Sequence, residues 1–225
     1  MSSNRMSLVF ITLLLITMFS SVALAETKSF DFRHVRWGMS MKEVKIAEAK
    51  QKLIKEDKKK NKRISSLSYE TTLDNILFSL LYLFADDKLY AAIYTCAEDF
   101  ADVNKYLEEY HSLRKMLTKL YNEPYQDKTR WEIELYKNDK ANLARAYSLG
   151  HVATYTTWNK NNTELTLRLA GKNGKCVLDI DYGAVGELNA LWQSAWASDN
   201  VARVTDDGQV VYKDDVQEDN TLGNL

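Results

Sequence analysis

The sequence is poor in the residues and motifs that commonly build catalytic or metal sites. Its three histidines, His34, His111 and His151, are widely separated and have no cysteine or carboxylate at metal-ligand spacing. The segment 171–175 lacks the length and the Lys-Ser/Thr ending of a phosphate-binding loop. No Gly-x-Ser-x-Gly sequence is present to expose a nucleophilic serine. We therefore predict no catalytic, cofactor-binding or metal-binding residues and no cofactor.

The chain also has almost no net charge. It carries 30 Lys and Arg against 31 Asp and Glu, which gives a formal charge of −1. Nucleic-acid binding draws most of its affinity from many lysines and arginines that neutralise phosphates. We therefore expect no nucleic-acid partner.

No apolar run long enough to span a membrane follows residue 25. Before it, Arg5, an apolar run over 8–19 and the sequence Ala23-Leu24-Ala25 have the three-part pattern of a secretory signal peptide. We predict a signal peptide over 1–25; the alternative is an uncleaved anchor, because the run is close to the ~20 apolar residues that cross a bilayer. No cysteine follows the run to accept a lipid. The pattern predicts a periplasmic or secreted protein with no integral membrane span after cleavage.

The chain has only two cysteines, Cys96 and Cys176, and each lies in a strand-like run. An oxidising compartment favours a single disulfide between them. The alternative is two buried thiols that pack as small hydrophobic groups.

Two pairs of neighbouring carboxylates are candidates for a hydrolytic site, Asp86 with Asp87 and Asp179 with Asp181. Glycosidases and acid proteases need two acids in different environments that face one cleft. Asp179 and Asp181 lie on the strand face opposite its apolar residues, so we expect both to be solvated surface residues.

Hydrophobic periodicity predicts the first strand and two helices. Apolar and polar residues alternate over 30–37, which favours a half-buried strand. Ser40 and Glu43 have the spacing of a capping box, so a helix is expected to begin directly after Ser40. A longer helix is indicated by apolar residues at steps of three and four over 103–121.

Six further strands are predicted in two groups of three. The segment 75–84 is apolar at nearly every position, as in a strand covered on both faces. The predicted strands are 67–73, 75–84 and 89–96 before the long helix and 151–158, 165–169 and 176–182 after it. Residues 127–148 are ambiguous, because their first part alternates as in a strand and 141–147 tolerates a helix.

In order, these elements form two tandem units, at about 30–98 and 99–183. Neither unit can cover both faces of a three-stranded sheet alone, so joining them edge to edge is the simplest arrangement. We predict an α+β fold in which tandem α-β-β-β units form one antiparallel sheet with helices packed on one face. The domain is expected to span 26–186, while 187–225 adds a short helix and a disordered acidic tail.

Two short motifs resemble those of a group of exported bacterial proteins. The first is Trp37-Gly38-Met39-Ser40-Met41-Lys42-Glu43-Val44, which is similar to the Trp-Gly-Met-Ser/Thr-x-x-Glu-Val opening of that group. It is more distantly similar to the helix entry of the β-lactamase inhibitor protein and of assembly lipoproteins of the BamE/SmpA type. The second is Leu120-Tyr121-Asn122-Glu123-Pro124 followed by Trp131, with asparagine in place of a glycine. The resemblance covers about 30–183; it implies a domain that binds proteins through a surface and supplies no catalytic residue.

Two sets of residues are candidate contact surfaces. A basic run over 50–63 predicts contact with an anionic surface, or else a solvated helix end and loop. Its candidate residues are Lys55, Lys58, Lys59, Lys60, Lys62 and Arg63. Three aromatic residues in the later strands, Tyr155, Trp158 and Tyr182, are candidate anchors for a protein partner.

These observations favour a non-catalytic protein-interaction module of the cell envelope. Its partner would be an envelope protein or an anionic lipid surface. The alternatives are a carrier of a small apolar or lipid-like ligand, suggested by 13 tyrosines and 5 tryptophans, and a hydrolase whose site is too dispersed to recognise.

Overall fold

A computed structural model describes residues 31–205 and 208–213. The predicted signal peptide and the end of the tail, 214–225, lie outside the described residues. The chain has four helices, α1 (Met41–Ala47), α2 (Asn104–Tyr121), α3 (Leu143–Ser148) and α4 (Glu187–Ser198), within the described ranges. Its strands are β1 (Lys52–Asp57), β2 (Ile64–Leu73), β3 (Ile76–Ala85), β4 (Lys88–Cys96), β5 (Gln126–Trp131), β6 (Val152–Lys160), β7 (Thr163–Lys172), β8 (Lys175–Ala184), β9 (Val201–Val204) and β10 (Val210–Tyr212).

Eight of the strands form one antiparallel sheet in the order β1-β2-β3-β4-β8-β7-β6-β5. Each half of the sheet comes from one half of the chain, and the two halves meet where β4 pairs with β8. The predicted α+β class and single antiparallel sheet are therefore confirmed.

Each half has four strands, one more than predicted. The additional strands, β1 and β5, are the two edges of the sheet. Most of their side chains are exposed and polar, so neither strand has the apolar alternation that identifies a strand in a sequence. Charged edge strands of this kind discourage pairing with other chains.

The helices α1, α2 and α3 pack on one face of the sheet and enclose the main core, as predicted. The main core is the cluster of buried side chains between these helices and the sheet, and it includes Leu113 and Leu117 of α2. On β3, Leu80 and Tyr82 point into this core while Leu81 points to the opposite face. The prediction that this strand is covered on both faces is confirmed.

The predicted strand over 30–37 is wrong for the described part of that segment. Residues 31–37 form a tight turn closed by a single bridge between Phe32 and Val35, and Arg33 has a positive φ of 49°. Phe32, Val35 and Trp37 are all buried in the main core. The alternation therefore marked residues that enter the core from a turn.

The predicted capping box at the start of α1 is confirmed. The Glu43 amide donates to the Ser40 hydroxyl, and the Ser40 amide donates to the Glu43 carboxylate at 2.8 Å. Asn122 has a positive φ of 69° at the end of α2, as expected for a residue in the place of a glycine.

Residues 187–205 and 208–213 cover the second face of the first half of the sheet. They form α4, as predicted, and a hairpin of β9 and β10, so the prediction of a disordered tail is wrong for the described residues after α4. Trp192, Val201 and Tyr212 pack with Leu81 and Leu83 in a cluster that we call the second core. The two strands of the hairpin are only four and three residues long, too short for a period to appear, which is why the sequence pattern is weak.

Asp199 fastens this segment to the sheet. One of its carboxylate oxygens accepts hydrogen bonds from the amides of Arg63 and Ile64, at 2.5 Å and 2.9 Å. The backbone of Gly208 lies so close to β3 of the sheet that an added Cβ would be 2.9 Å from Leu81 Cδ1. Among the described residues, no helix has the length and apolar character needed to cross a bilayer.

Candidate functional site

The second half of the sheet has one face that no described element covers fully. On this side, α4 packs against β3 and β4 and reaches β8. Most side chains on the same side of β5, β6 and β7 remain partly or fully exposed. We call this side of β5 to β8, with the neighbouring part of β4, the open face.

Strand register arranges the open face in rows across the sheet. One row contains Thr95, Asp179, Arg168, Tyr155 and Lys128, each opposite the next on a neighbouring strand. Directly paired side chains on one face lie about 4.5–5.5 Å apart at Cβ. The row therefore places charged groups and one tyrosine in contact distance of one another.

The adjacent row contains Ile93, Asp181, Thr166, Thr157 and Gln126. Asp181 is central in the sheet because it lies between Ile93 of β4 and Thr166 of β7. A groove of about 480 Å³ runs over this part of the open face. Asp181 and Thr166 line the groove, together with Val185, which precedes α4, and Asn189 of α4.

An aromatic stack holds one wall of the groove. Tyr90 stacks on Trp192 of α4, with ring centroids 3.9 Å apart and planes 14° from parallel. Tyr90, Ile93 and Tyr155 all line the groove. Because Trp192 is buried in the second core, the position of α4 fixes this wall.

Arg168 and Asp179 form an ion pair on the open face. The guanidinium donates to the Asp179 carboxylate, and only 3% of the Asp179 side chain is exposed. Burial opposes the charge of Arg168, but the carboxylate outweighs this effect and raises the pKa of Arg168. The prediction that Asp179 is a solvated surface residue is therefore wrong, because its strand lies in the interior of the sheet beside an arginine.

Asp181 lies in a different environment from Asp179. It is partly buried, and no residue of the described ranges donates a hydrogen bond to its carboxylate. Burial, followed by the negative charge of Asp179, raises the pKa of Asp181 to about 6, although Arg168 acts in the opposite direction. The folded protein is therefore less stable when this carboxylate is ionised. Carboxylates with such raised pKa values cluster at functional sites.

We expect Asp181→Asn to stabilise the protein more at pH 8 than at pH 5. A raised folded pKa gives stability that is present at low pH and is lost as the pH rises through about 6. The asparagine variant has no such loss, so its advantage in unfolding free energy should grow by on the order of 1 kcal/mol between pH 5 and pH 8. Urea unfolding at both pH values measures this difference.

Asn189→Ala is the matched control for this comparison. Asn189 lines the same groove but does not titrate, so its effect on stability should be the same at both pH values. An advantage of Asp181→Asn that stays constant between pH 5 and pH 8 would contradict the raised pKa.

Two of the three predicted aromatic anchors are core residues. Trp158 is 0% exposed, and its indole N–H donates to the Asn122 carbonyl at 3.1 Å. Tyr182 is 7% exposed, and its ring lies 4.5 Å from that of Phe32. Both residues occupy strand positions that point into the main core, whereas Tyr155 points to the open face. The prediction is wrong for Trp158 and Tyr182.

The basic run mainly holds the C-terminal segment. Lys62 donates to the Asp199 carbonyl at 3.0 Å, and the ammonium groups of Lys59 and Lys62 lie over the Tyr212 ring at 4.4 and 4.1 Å. Arg63 donates twice to Asp86, at 2.9 and 2.7 Å.

The remaining candidate contact residues of the run are Lys55, Lys58 and Lys60. Lys58 is 3.9 Å from Asp87, and both side chains are exposed. Lys55 lies in the edge strand β1. Contact of this run with an anionic surface stays a prediction. Lys59, Lys62 and Arg63 already have partners within the chain.

Cys96 and Cys176 are free thiols, so the predicted disulfide is not formed in this structure. Thr95 is opposite Asp179, and this register places Leu178 opposite Cys96, two residues from Cys176. Such diagonal neighbours are about 7–8 Å apart, whereas a disulfide needs Cβ atoms about 3.5–4.5 Å apart. Burial raises the pKa of the Cys176 thiol to about 11.

The groove includes residues that the sequence did not identify, namely Tyr90, Arg168 and Asn189. The alternation of polar residues on β7 and β8 contains a usable signal, because Arg168 and Asp179 have opposite charges at inner-strand positions. The position of α4 over Tyr90 has no comparable signal in the sequence.

The site includes no recognisable metal centre. Within residues 31–205 and 208–213, no three His, Cys, Asp or Glu side chains are grouped so that they could hold a metal ion. Comparisons of the chain with protein-family models, with curated proteins and with solved structures find no match.

Proposed function

We propose that this chain is an exported, non-catalytic interaction module of the cell envelope that binds a protein partner through the open face. One observation carries the proposal. In the first half of the sheet, the second core covers the face opposite the main core. In the second half, the same side is the open face, which remains accessible beside a groove. A sheet normally needs both faces covered unless one is solvated or bound by a partner.

The composition of the open face supports a protein partner. Tyrosine and arginine are enriched at protein interfaces, and polar groups at the margin direct orientation. Tyr155 and Arg168 lie on adjacent strands, directly opposite each other. Ile93 adds an apolar contact in the next row.

The sequence supports export and an interaction role. The segment 1–25 has the pattern of a signal peptide. The motif over 37–44 resembles the helix entry of proteins that act by binding other proteins.

The geometry of the groove favours this proposal over the two alternatives. The groove is open and contains Glu164, Arg168 and Asp181, which are unsuited to a lipid-like ligand. A hydrolase with paired acids needs both of them in one cleft. Asp179 is bound to Arg168 and does not line the groove, so its pair with Asp181 does not meet this requirement.

Site-specific photo-crosslinking in the natural host tests the proposal. A photoreactive amino acid in place of Tyr155 should give one predominant adduct of defined mass in the envelope. Adding Thr166→Arg in the same groove should reduce this adduct at least tenfold, because a bulky cation fills the contact surface. The same photoreactive residue in place of Lys119, on the exposed side of α2, is the control and should not give that adduct.

Two outcomes contradict the proposal. One is the absence of any defined adduct from Tyr155 when the protein is folded and present at its normal level. The other is an adduct that forms equally from Lys119 or persists unchanged with Thr166→Arg.

A further inference from the structure

We propose that Asp181 receives a basic side chain, a lysine or arginine, of the protein partner, which enters the groove on the open face. This inference rests on the proposed function and specifies the chemistry of the partner at one point. It is carried by the position of Asp181, by the balance of charge around it and by the walls of the groove.

Within the described part of the chain, Asp181 has no hydrogen-bond donor to its carboxylate. It faces Ile93 on one side and Thr166 on the other, and neither described neighbour donates a hydrogen bond to its carboxylate. A partly buried carboxylate without a donor loses hydration without compensation. A cationic donor from outside would supply what the fold does not.

The balance of charge in the groove favours a cation. Among the described residues that line the groove, Arg168 is the one basic residue, and its guanidinium is bound to the buried Asp179. Asp181 and Glu164 are the acidic residues of this described lining. With Asp179, there are three carboxylates in this region and one guanidinium, that of Arg168. A bound cation would reduce this excess of negative charge.

The walls of the groove suit the carbon chain of a basic side chain. Lysine and arginine bury their aliphatic stems along apolar surface while the charged end seeks a polar partner. Ile93 and Val185 supply apolar surface, and the rings of Tyr90 and Tyr155 lie at the groove where they can attract a cation.

The inference predicts a definite dependence on pH. The pKa of Asp181 is about 6, so the carboxylate is mostly neutral at pH 5 and ionised at pH 7.5. Binding of a cation should therefore strengthen as the pH rises through 6. The titratable or charged groups around Asp181 are Tyr90 from β4, Tyr155 from β6, Glu164 and Arg168 from β7, and Asp179 from β8, while α4 contributes the uncharged Asn189.

Two small cations test this chemistry on the purified protein. We expect n-butylammonium and n-butylguanidinium to cause saturable NMR shifts of the Ile93, Thr166 and Asp181 amides at pH 7.5. Asp181→Asn should weaken binding about tenfold or more, since it removes a charge-assisted hydrogen bond. Binding to the unaltered protein should also weaken at pH 5. Neutral n-butanol controls for the alkyl chain, and Glu164→Gln controls for a carboxylate of the same groove.

The results separate this inference from the proposed function. It is overturned if the cations cause no saturable shifts at pH 7.5, or if Asp181→Asn binds them as well as the unaltered protein does. If the Tyr155 adduct forms and Asp181→Asn leaves it undiminished, the open face is an interface but Asp181 is not its cation receptor. If the cations bind while no adduct forms, the groove binds organic cations at Asp181, but the proposal of a protein partner is wrong.

Discussion

Replacing Glu48 by alanine is expected to lower the free energy of unfolding by about 3–5 kcal/mol. Glu48 is 2% exposed, and its carboxylate accepts hydrogen bonds from Arg33 at 3.0 and 3.2 Å and from the Tyr82 hydroxyl at 2.5 Å. Removing it would leave the Arg33 guanidinium without its counter-ion among buried aromatic rings. The same guanidinium donates to the Tyr94 hydroxyl at 3.0 Å, so the whole group of four residues would be disturbed.

The raised pKa values of Tyr82 and Arg33 have the same origin. Burial, together with the charge and hydrogen bond of Glu48, raises the pKa of Tyr82. Burial opposes the charge of Arg33, but its bonds to Tyr94 and Glu48 prevail and raise its pKa.

Urea unfolding of four variants, Glu48→Ala, Glu48→Gln, Arg33→Ala and Arg33→Ala/Glu48→Ala, measures the effect. Glu48→Gln keeps the size and one acceptor, so it should cost less than Glu48→Ala. The double variant Arg33→Ala/Glu48→Ala should cost less than the sum of the single variants, because neither charge is left alone. A loss below about 1 kcal/mol for Glu48→Ala would contradict a buried ion pair.

Replacing Trp192 by alanine should cost about 3–5 kcal/mol as well. Trp192 is 8% exposed and fills the second core, where it stacks on Tyr90 and touches Trp196 at a centroid distance of 4.7 Å. The variant would leave a cavity under α4 and release one wall of the groove.

Thermal or urea unfolding measures this loss, and limited proteolysis reports its location. Trp196→Ala is the matched control, because Trp196 is partly buried and should lose less. We expect cleavage in the segment 199–213 to become faster with Trp192→Ala than with Trp196→Ala. Equal losses for the two variants would show that Trp192 does not anchor α4.

The sequence predicted the parts of the fold that have strong periodicity. The apolar β3, the amphipathic α2 and the capping box at Ser40 follow from local chemistry. The edge strands β1 and β5 were not predicted because they bury few apolar side chains. The turn over 31–37 was wrongly predicted to be a strand, because alternating burial also arises when a turn packs against a core.

The candidate site was harder to predict than the fold. Which face of β6 and β8 meets the core depends on how both halves of the sheet join, and this decides that Trp158 is buried while Tyr155 is accessible. Likewise, Asp179 and Asp181 have equivalent sequence positions, and their difference arises from Arg168 on the neighbouring strand. Such effects are tertiary, and a pattern in one strand does not contain them.

The pairing of β4 with β8 also has a consequence for biosynthesis. These strands are neighbours in space, yet the helices α2 and α3 and the strands β5, β6 and β7 are made between them. Until β8 has emerged, the newly made first half exposes the hydrogen-bonding groups of β4 along a side that is interior in the finished molecule. Contacts between such distant segments form slowly, and unpaired strands attract other chains. In a chain made from its amino end, β4 therefore stays available for pairing with other chains until its second half has been synthesised.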